Sequence, residues 1–331
     1  MEKILSVSVA AYNLESMIRQ CLDSFIRPEI LEKVEVLVTD DGSKDQTREI
    51  VAAYEKKYPG SFKLIVQKNA GPGSTVNSGL AHATGKYFRM VDGDDWVNAN
   101  EMEAYLTYLE EHDTDMVCTS YCCVDHETGE KRLEMLKTDM MDREIQFEQV
   151  AKDLFLAMHN VTYKTSILKE NGIRLDNGFY TDLEYLLFPT PYIHTVAFLS
   201  QTIYMYRVSL STQSMSIKSL QKNVQMHRNV LEHLLREYEA YHMSAHWNAS
   251  IGSYYCKRIA ATVGTQLSIY LSFKDTKTYK KITKAMVEEL KREHNTVYRE
   301  IMKLKTFQVL VYTGFFSYGL VSSMHRKKLG L

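Results

Sequence analysis

Three closely spaced aspartates, Asp92, Asp94 and Asp95, are the residues in this sequence with the clearest chemical potential. Carboxylates this close repel one another, and a hard divalent cation removes the repulsion. Gly93 allows a tight turn, so that Asp92 and Asp94 can face one site. Mg²⁺ or Mn²⁺ held by one or two such carboxylates and by substrate phosphates is the usual arrangement in diphosphate chemistry. The spacing predicts a metal site, with a solvated acidic turn as the alternative.

Two further clusters offer groups that suit a nucleotide. Asp40 and Asp41 precede a Gly-Ser turn and can accept from a nucleobase N–H or a ribose hydroxyl, although they also suit a turn that caps a helix. The segment 68–79 contains several glycines and leads into a predicted helix, whose free N–H groups suit a phosphate or a ribose. It matches neither a Walker loop nor a Rossmann fingerprint, which disfavours a P-loop enzyme and a dehydrogenase.

These clusters follow short apolar runs that read as strands. The predicted strands are 4–11, 34–39, 62–66, 87–91 and 116–121, and the predicted helices between them are 14–25, 46–54, 74–83 and 100–111. Such alternation predicts βαβ units in an α/β fold with a doubly wound, mostly parallel sheet. Ligands bind at the carboxyl ends of the strands in such sheets, which is where the polar clusters fall.

The second half of the chain is predicted to be largely helical. We expect a helix at 147–158, an apolar run at 196–206, and a helix over 220–241 whose apolar residues repeat at spacings of four and three. That repeat suits a coiled-coil dimer or packing within the chain, and we favour packing within the chain.

The stretch 307–324 contains no charged residue and is bracketed by Lys303 and Lys305 before it and by Arg326, Lys327 and Lys328 after it. It carries too many polar residues for a typical spanning helix. We favour a helix in the membrane interface, with the basic residues meeting anionic head groups. A buried C-terminal core helix and a spanning helix remain as alternatives.

Composition limits the remaining classes. The 331 residues carry a formal charge of −1, which excludes a general field for binding nucleic acid. The charge is divided, because residues 1–120 hold 12 Lys and Arg against 20 Asp and Glu, whereas the rest holds 28 against 21. Five cysteines without a C-x-x-C pair, and no signal-peptide pattern, favour the cytoplasm.

Taken together, four motifs resemble the family 2 glycosyltransferases of the GT-A fold over roughly residues 4–210. They are Ser8–Asn13, Asp40-Asp41-Gly42-Ser43, the segment from Asn69-Ala70-Gly71 to Asn77-Ser78-Gly79, and Asp92-Gly93-Asp94-Asp95. The resemblance implies a nucleotide-diphospho-sugar donor, with a UDP-sugar favoured, a divalent metal (Mn²⁺ or Mg²⁺), and inversion at the anomeric carbon. It implies donor contacts from Ala11, Tyr12, Asn13, Asp40, Asp41, Asn69, Gly71, Asn77, Asp92 and Arg207, and metal contacts from Asp92, Asp94 and Asp95.

An inverting transfer needs one base to take the proton of the acceptor hydroxyl. In this family the base is commonly the Asp of a Glu-Asp pair that opens a helix, and Asp182 matches it. Thr181 stands where the family usually has Glu, and Glu184 is the second candidate. A helix N-cap is the structural alternative for Asp182.

The resulting hypothesis has two domains, a GT-A catalytic domain at 1–215 and a helical C-terminal region at 216–331. We expect transfer of a sugar to a cell-surface glycan or lipid-linked acceptor, by a protein peripheral on the inner face of the cell membrane that binds no nucleic acid. The alternative is a non-catalytic, membrane-associated scaffold on a degenerate transferase fold.

Overall fold

The computed structural model describes residues 2–210 and 216–331. They form two compact units, a sheet unit of residues 2–150 and 154–210 and a helical unit of residues 151–153 and 216–331. The predicted domain boundary follows residue 215. Because residues 211–215 are outside the described residues, the boundary stays a prediction.

A single mixed sheet forms the centre of the sheet unit. In order along the sheet the strands are β3-β2-β1-β4-β9-β6-β10-β5, while β7 pairs with β6 and β8 with β10. The strands are β1 Leu5–Ala11, β2 Val34–Asp40, β3 Phe62–Val66, β4 Tyr87–Asp92, β5 Trp96–Val97, β6 Met116–Asp125, β7 Lys131–Glu134, β8 Arg143–Gln146, β9 Val161–Lys164 and β10 Thr195–Val208.

The first four strands in this order are parallel throughout. Beyond them β9 runs antiparallel to both β4 and β6, and β6 and β10 are parallel. The predicted α/β fold with a helical C-terminal region is confirmed, and the sheet is mixed in its second half. The apolar runs of β1 and β2 are buried along almost their whole length, as parallel strands covered on both faces require.

Eight α-helices accompany the strands in the described part of the sheet unit. They are α1 Ile18–Asp23, α2 Pro28–Lys33, α3 Thr47–Lys57, α4 Pro72–His82, α5 Met102–Glu111, α6 Phe147–Val150, α7 Thr165–Glu170 and α8 Asp182–Leu187, with 3₁₀ turns at Met158–Asn160 and Thr190–Tyr192. The helix predicted at 14–25 begins only at Ile18 and ends at Asp23.

The helix predicted at 147–158 is wrong, because α6 ends after one turn at Val150. Beyond it the burial alternates, with Leu154 and Leu156 buried on either side of Phe155, whose side chain is 72% exposed. A two-residue alternation belongs to extended backbone and not to a helix, so the apolar period changes within the segment.

The helical unit is built around α11, which contacts α9, α10, α12, α13 and α15. Its helices are α9 Ile217–Lys222, α10 Val224–His242, α11 Ala249–Ser272, α12 Thr276–Glu293, α13 Asn295–Ile301, α14 Lys305–Tyr312 and α15 Tyr318–Lys328, with a 3₁₀ turn at Ala151–Asp153. The repeat predicted over 220–241 is broken at Asn223, and its apolar residues, such as Leu231 and Leu234, are buried within the chain. Packing within the chain therefore accounts for the repeat.

The single helix predicted over 307–324 is wrong. The stretch consists of parts of α14 and α15 joined by a turn. The turn arises because Gly314 and Phe315 have φ values of 56° and 64°, which no α-helix accommodates. Among the described residues, no helix combines the length and the apolar composition needed to cross a bilayer.

Candidate active site

The carboxyl ends of β1, β2 and β4 meet at one edge of the sheet. Strand register sets Ala11 beside Asp40, and Ala10 beside Asp92. The turns that follow are fixed to β1, since Asp41 N donates to Ala11 O at 2.8 Å and Gly93 N donates to Ala10 O at 3.0 Å. Two of the predicted aspartate clusters are therefore neighbours across β1.

Asp92, Asp94 and Asp182 form an acidic group at this edge. Asp182 is the first residue of α8 and comes from a part of the chain far from β4. Burial, and then the negative charges of Asp94 and Asp182, raise the pKa of Asp92 well above its usual range. In the described parts of the chain no group donates a hydrogen bond to the Asp92 carboxylate. A group of partly buried carboxylates, one of which has no protein donor, fits Mg²⁺ or Mn²⁺.

Asp95 is held differently, although it adjoins Asp94 in the sequence. It is buried, and its two oxygens accept from Tyr204 Oη at 2.7 Å and from Arg207 N at 2.7 Å. Tyr204 Oη in turn accepts from Asp92 N at 3.1 Å. Asp95 therefore joins β10 to the acidic turn, and its predicted contact with a metal stays a prediction.

His159 lies beside this group and was not predicted from the sequence. Ligand atoms of His159, Asp92 and Asp95 all lie within 4.8 Å of one another. Its ring contacts Tyr204 and Tyr206, with centroids 4.5 and 4.4 Å away. Burial, aided by the Arg89 cation, lowers the pKa of His159 to about 3, so the imidazole is neutral. A lone histidine outside any motif gave no sequence signal.

Arg207 is the predicted cation at the site, and the structure places it against the acidic turn. Its Nε donates to Asp94 O at 2.7 Å and its Nη2 donates to Gln20 Oε1 at 2.7 Å. The guanidinium also lies over the Trp96 ring, 4.8 Å from its centroid. Its charge opposes the rise that burial causes in the pKa of Asp94.

Asp40 and Asp41, the predicted base and ribose contacts, are buried and hold neighbouring loops. Asp40 accepts from Ser43 N and from Arg48, whose Nε and Nη2 lie 2.9 and 2.8 Å away. Asp41 accepts from the backbone amides of Ala70 and Gly71 at 2.9 and 2.8 Å. These two carboxylates therefore shape the predicted nucleotide pocket, whatever further contacts they make with a ligand.

Three further predicted donor contacts, Tyr12, Asn13 and Asn69, lie in loops that follow β1 and β3. Tyr12 follows β1 and is 44% exposed, which suits an aromatic contact with a base. Asn13 has a φ of 53°, and its Oδ1 accepts from Lys44 N at 2.8 Å. Asn69 is exposed beside the loop that Asp41 holds.

The glycines at the start of α4 serve a close contact between protein backbones. A Cβ on Gly71 would lie 2.5 Å from Gly178 Cα, and one on Gly73 would lie 2.0 Å from Asp176 O. Asn77 extends this contact, because its Nδ2 donates to Leu175 O and its Oδ1 accepts from Leu175 N. The segment predicted to approach a phosphate thus supports residues 175–181, the loop that leads into Asp182.

The two residues that flank the predicted base have structural environments. Thr181 is buried at the N-cap position of α8, and its Oγ1 would lie 2.8 Å from a Cβ on Gly73. Glu184 is fully buried, and its Oε2 accepts from Asp176 N at 2.6 Å. Glu184 is therefore less suited than Asp182 to meet an acceptor.

The profile of the family described as "Glycosyl transferase family 2" matches residues 6–172. EpsH of Bacillus subtilis is 28% identical over 217 residues, which cover 63% of this chain and 62% of EpsH. The minor teichoic acid biosynthesis protein GgaB of Bacillus subtilis is 30% identical over 131 residues, which cover 39% of this chain and 15% of GgaB. The chain thus spans less than two thirds of either relative.

Among solved structures, that of S. aureus TarS residues 1–349 in complex with UDP is similar to this chain. The TM-score is 0.67 with 20% sequence identity, and the match covers 98% of this chain and 92% of the TarS chain. At this identity the similarity shows a shared fold.

Proposed function

This chain belongs to glycosyl transferase family 2, and from that premise we propose that it is an inverting, metal-dependent glycosyltransferase whose base is Asp182. The observation that carries the proposal is the convergence of Asp182 with Asp92 and Asp94 at the edge of the sheet. A base and a diphosphate site must flank the same sugar, and these carboxylates come from two distant parts of the chain.

The proposed reaction is a single displacement. The acceptor hydroxyl oxygen forms a bond to the anomeric carbon, and the bond from that carbon to the diphosphate oxygen breaks with its electron pair. The acceptor proton passes to the Asp182 carboxylate, which lies at the start of α8 and is oriented by the loop that rests on Gly71 and Gly73. No protein nucleophile is required.

Asp92 and Asp94 would hold Mn²⁺ or Mg²⁺. When bound, the metal neutralises charge on the leaving diphosphate. The protein's own part is to keep Asp92 uncovered by donors while Tyr204 fixes its backbone and Arg207 fixes that of Asp94. Of the three aspartates of this turn, Asp92 and Asp94 would thus meet the metal, while Asp95 accepts from Tyr204 and Arg207.

We propose a UDP-sugar as donor and a hydroxyl of a cell-surface glycan or lipid-linked glycan as acceptor. The structure of TarS holds UDP, and the name of GgaB refers to teichoic acid biosynthesis, and both support this choice. We place the reaction at the cytoplasmic face of the cell membrane, where nucleotide sugars and lipid-linked acceptors meet.

The test is a donor-consumption assay with a panel of UDP-sugars and GDP-sugars, with Mn²⁺ and with EDTA. Wild-type protein should consume a UDP-sugar only with the metal. Asp182→Asn should slow consumption by about 10² to 10⁴ while the donor dissociation constant changes little, since general-base catalysis contributes that much.

Asp113→Asn is the matched control, because Asp113 is 70% exposed and pairs on the surface with Lys164. It should retain the wild-type rate. Equal rates for Asp182→Asn and wild type would remove Asp182 as the base. Metal-independent turnover would remove the metal assignment, and binding without turnover of any sugar would favour the scaffold alternative.

A further inference from the structure

Exposed apolar side chains lie on the last two helices and on the turn between them. Tyr312 and Phe316 are 79% and 89% exposed, and Leu320 and Met324 follow on α15, also exposed. These four residues, spaced every four positions, are called the apolar face. Single exposed apolar residues are ordinary on a protein surface, but four large ones between Tyr312 and Met324, two of them aromatic, favour a binding surface.

The opposite side of the same helices is firmly packed within the helical unit. Phe307, Leu310, Phe315 and Tyr318 are buried. The positive φ of Phe315 lets it point into the core while the next residue, Phe316, points away from it. The apolar face is thus not a frayed end, because each helix is fixed by its buried side.

Polar bonds fix α15 in the same way. Ser322 Oγ donates to Leu271 O at 2.7 Å, and Arg326 Nη1 donates to Phe273 O at 2.9 Å. Ser268 Oγ and His325 Nε2 are 2.9 Å apart. A rigid support under an apolar face lowers the entropy lost when that face is buried against a partner.

The charged residues of α14 and α15 are all basic. Residues 303–331 contain five Lys or Arg and no Asp or Glu, and Lys303 pairs with Glu300 just before this stretch. Lys327 and Lys328 are exposed at the end of α15. Lys280 of α12 adds a further cation, with its Nζ 5.4 Å from the centroid of the Phe316 ring. The partner must therefore accept apolar rings and carry negative charge.

We propose that the apolar face docks on an anionic lipid bilayer, with Phe316 and Leu320 entering the boundary between head groups and acyl chains and the lysines meeting the phosphates. Amphipathic elements with aromatic residues on one side and lysines around them bind bilayers in this way. A second copy of the chain would set the same lysines against each other, and like charges disfavour such a contact. The surface would serve the proposed location of the enzyme, but it rests on the helical unit alone.

Vesicle co-sedimentation of the full chain tests the proposal. The probes are vesicles of phosphatidylcholine alone and of phosphatidylcholine with phosphatidylglycerol at about 7:3. Wild type should bind the anionic vesicles and leave the neutral ones largely unbound. Phe316→Ser with Leu320→Ser should weaken binding by about 10-fold or more, from the apolar area lost. Lys327→Gln with Lys328→Gln should weaken it by about fivefold per lysine at low salt.

Matched controls lie in the sheet unit. Phe155→Ser removes another exposed phenylalanine, and Lys56→Gln with Lys57→Gln removes two neighbouring surface lysines. Both controls should bind like wild type, and all variants should unfold at the wild-type temperature.

Three results would overturn the proposal. They are no wild-type binding to anionic vesicles, equal loss in the control variants, and a wild-type dimer in sedimentation that Phe316→Ser disperses without any change in vesicle binding. Donor consumption is measured without vesicles, so a failure here leaves the proposed transfer reaction standing, and the reverse also holds.

Discussion

Tyr204 is the residue through which β10 supports the acidic turn, and replacing it with phenylalanine removes one atom. Its hydroxyl donates to Asp95 Oδ2 at 2.7 Å and accepts from Asp92 N at 3.1 Å, and the side chain is fully buried. Tyr204→Phe keeps the ring and its contact with His159 while deleting both hydrogen bonds.

The expected loss of stability follows from the two bonds. A buried hydrogen bond to a charged acceptor contributes about 1.5–3 kcal/mol, and one between neutral groups about 0.5–1.5 kcal/mol. Asp95 keeps Arg207 N as a donor, so one of its oxygens stays satisfied. We therefore expect the sheet unit to lose about 2–4 kcal/mol of unfolding free energy.

Tyr54→Phe is the matched control, because Tyr54 Oη donates to Asp23 Oδ1 at 2.6 Å in an exposed position. Water replaces that bond when it is lost, so the control should cost at most about 1 kcal/mol.

Urea unfolding followed by tryptophan fluorescence measures both variants. The chain has two tryptophans, and Trp247 lies in the helical unit, so a Trp247→Phe background leaves Trp96 to report on the sheet unit. If Tyr204→Phe changed the unfolding free energy no more than Tyr54→Phe does, the assignment of Tyr204 as the support of the acidic turn would be refuted.

Two further predictions concern the same edge of the sheet. Because burial and nearby carboxylates raise the pKa of Asp92 in the folded chain, its contribution to stability should be lost as pH rises from the unfolded value of about 3.9 through the raised pKa. Urea unfolding with EDTA at pH 5.5 and 7.5 should then show Asp92→Asn more stable than wild type, with the larger difference at pH 7.5; an equal difference at both pH values would contradict the sign. Gly73→Ala should lower the transfer rate about 10-fold or more with little change in donor affinity, since its Cβ would lie 2.0 Å from Asp176 O and must move the loop before Asp182. Gly60→Ala, where a Cβ meets nothing within 4 Å, is the control, and equal rates for the two variants would show that the loop tolerates the shift.

The four parallel strands β1 to β4 and strand β6 were predictable because their signal is local, whereas β5, β7, β8 and β9 were not predicted. β1 and β2 are short β-branched runs buried on both faces, and the structure places them within one residue of the predicted bounds. The acidic residues at the ends of these strands were also predictable, because the first polar residues after an apolar run mark the end of a strand.

The protein partners of those acids were not predictable, because they come from far along the chain. Tyr204 and Asp95 are 109 residues apart, and Asn77 and Leu175 are 98 apart. Gly71 and Gly73 permit a close approach, but the sequence does not show that the approaching group is the backbone of residues 176–178. His159 belongs to the site only through the folding of β9 and β10 around it.

The helices at 147–158 and 307–324 were predicted too long for different reasons. In the first, an apolar period of two follows a helical period within a few residues. In the second, Gly314 and Phe315 adopt positive φ, and only tertiary packing of Phe315 explains why a phenylalanine does so.

The contact between Gly71 and Gly178 has a consequence for the order of folding. The contact closes a loop of about 100 residues, which costs conformational entropy. It can offset that cost only if α4 is already formed, with Gly71 and Gly73 exposed to residues 176–178. Because α4 packs on β1 and β2, we expect this parallel core to assemble before residues 175–181 become ordered. The segment that carries the proposed base should therefore become ordered after the first quarter of the chain has folded. The native contacts of Gly71 should form after the transition state for folding.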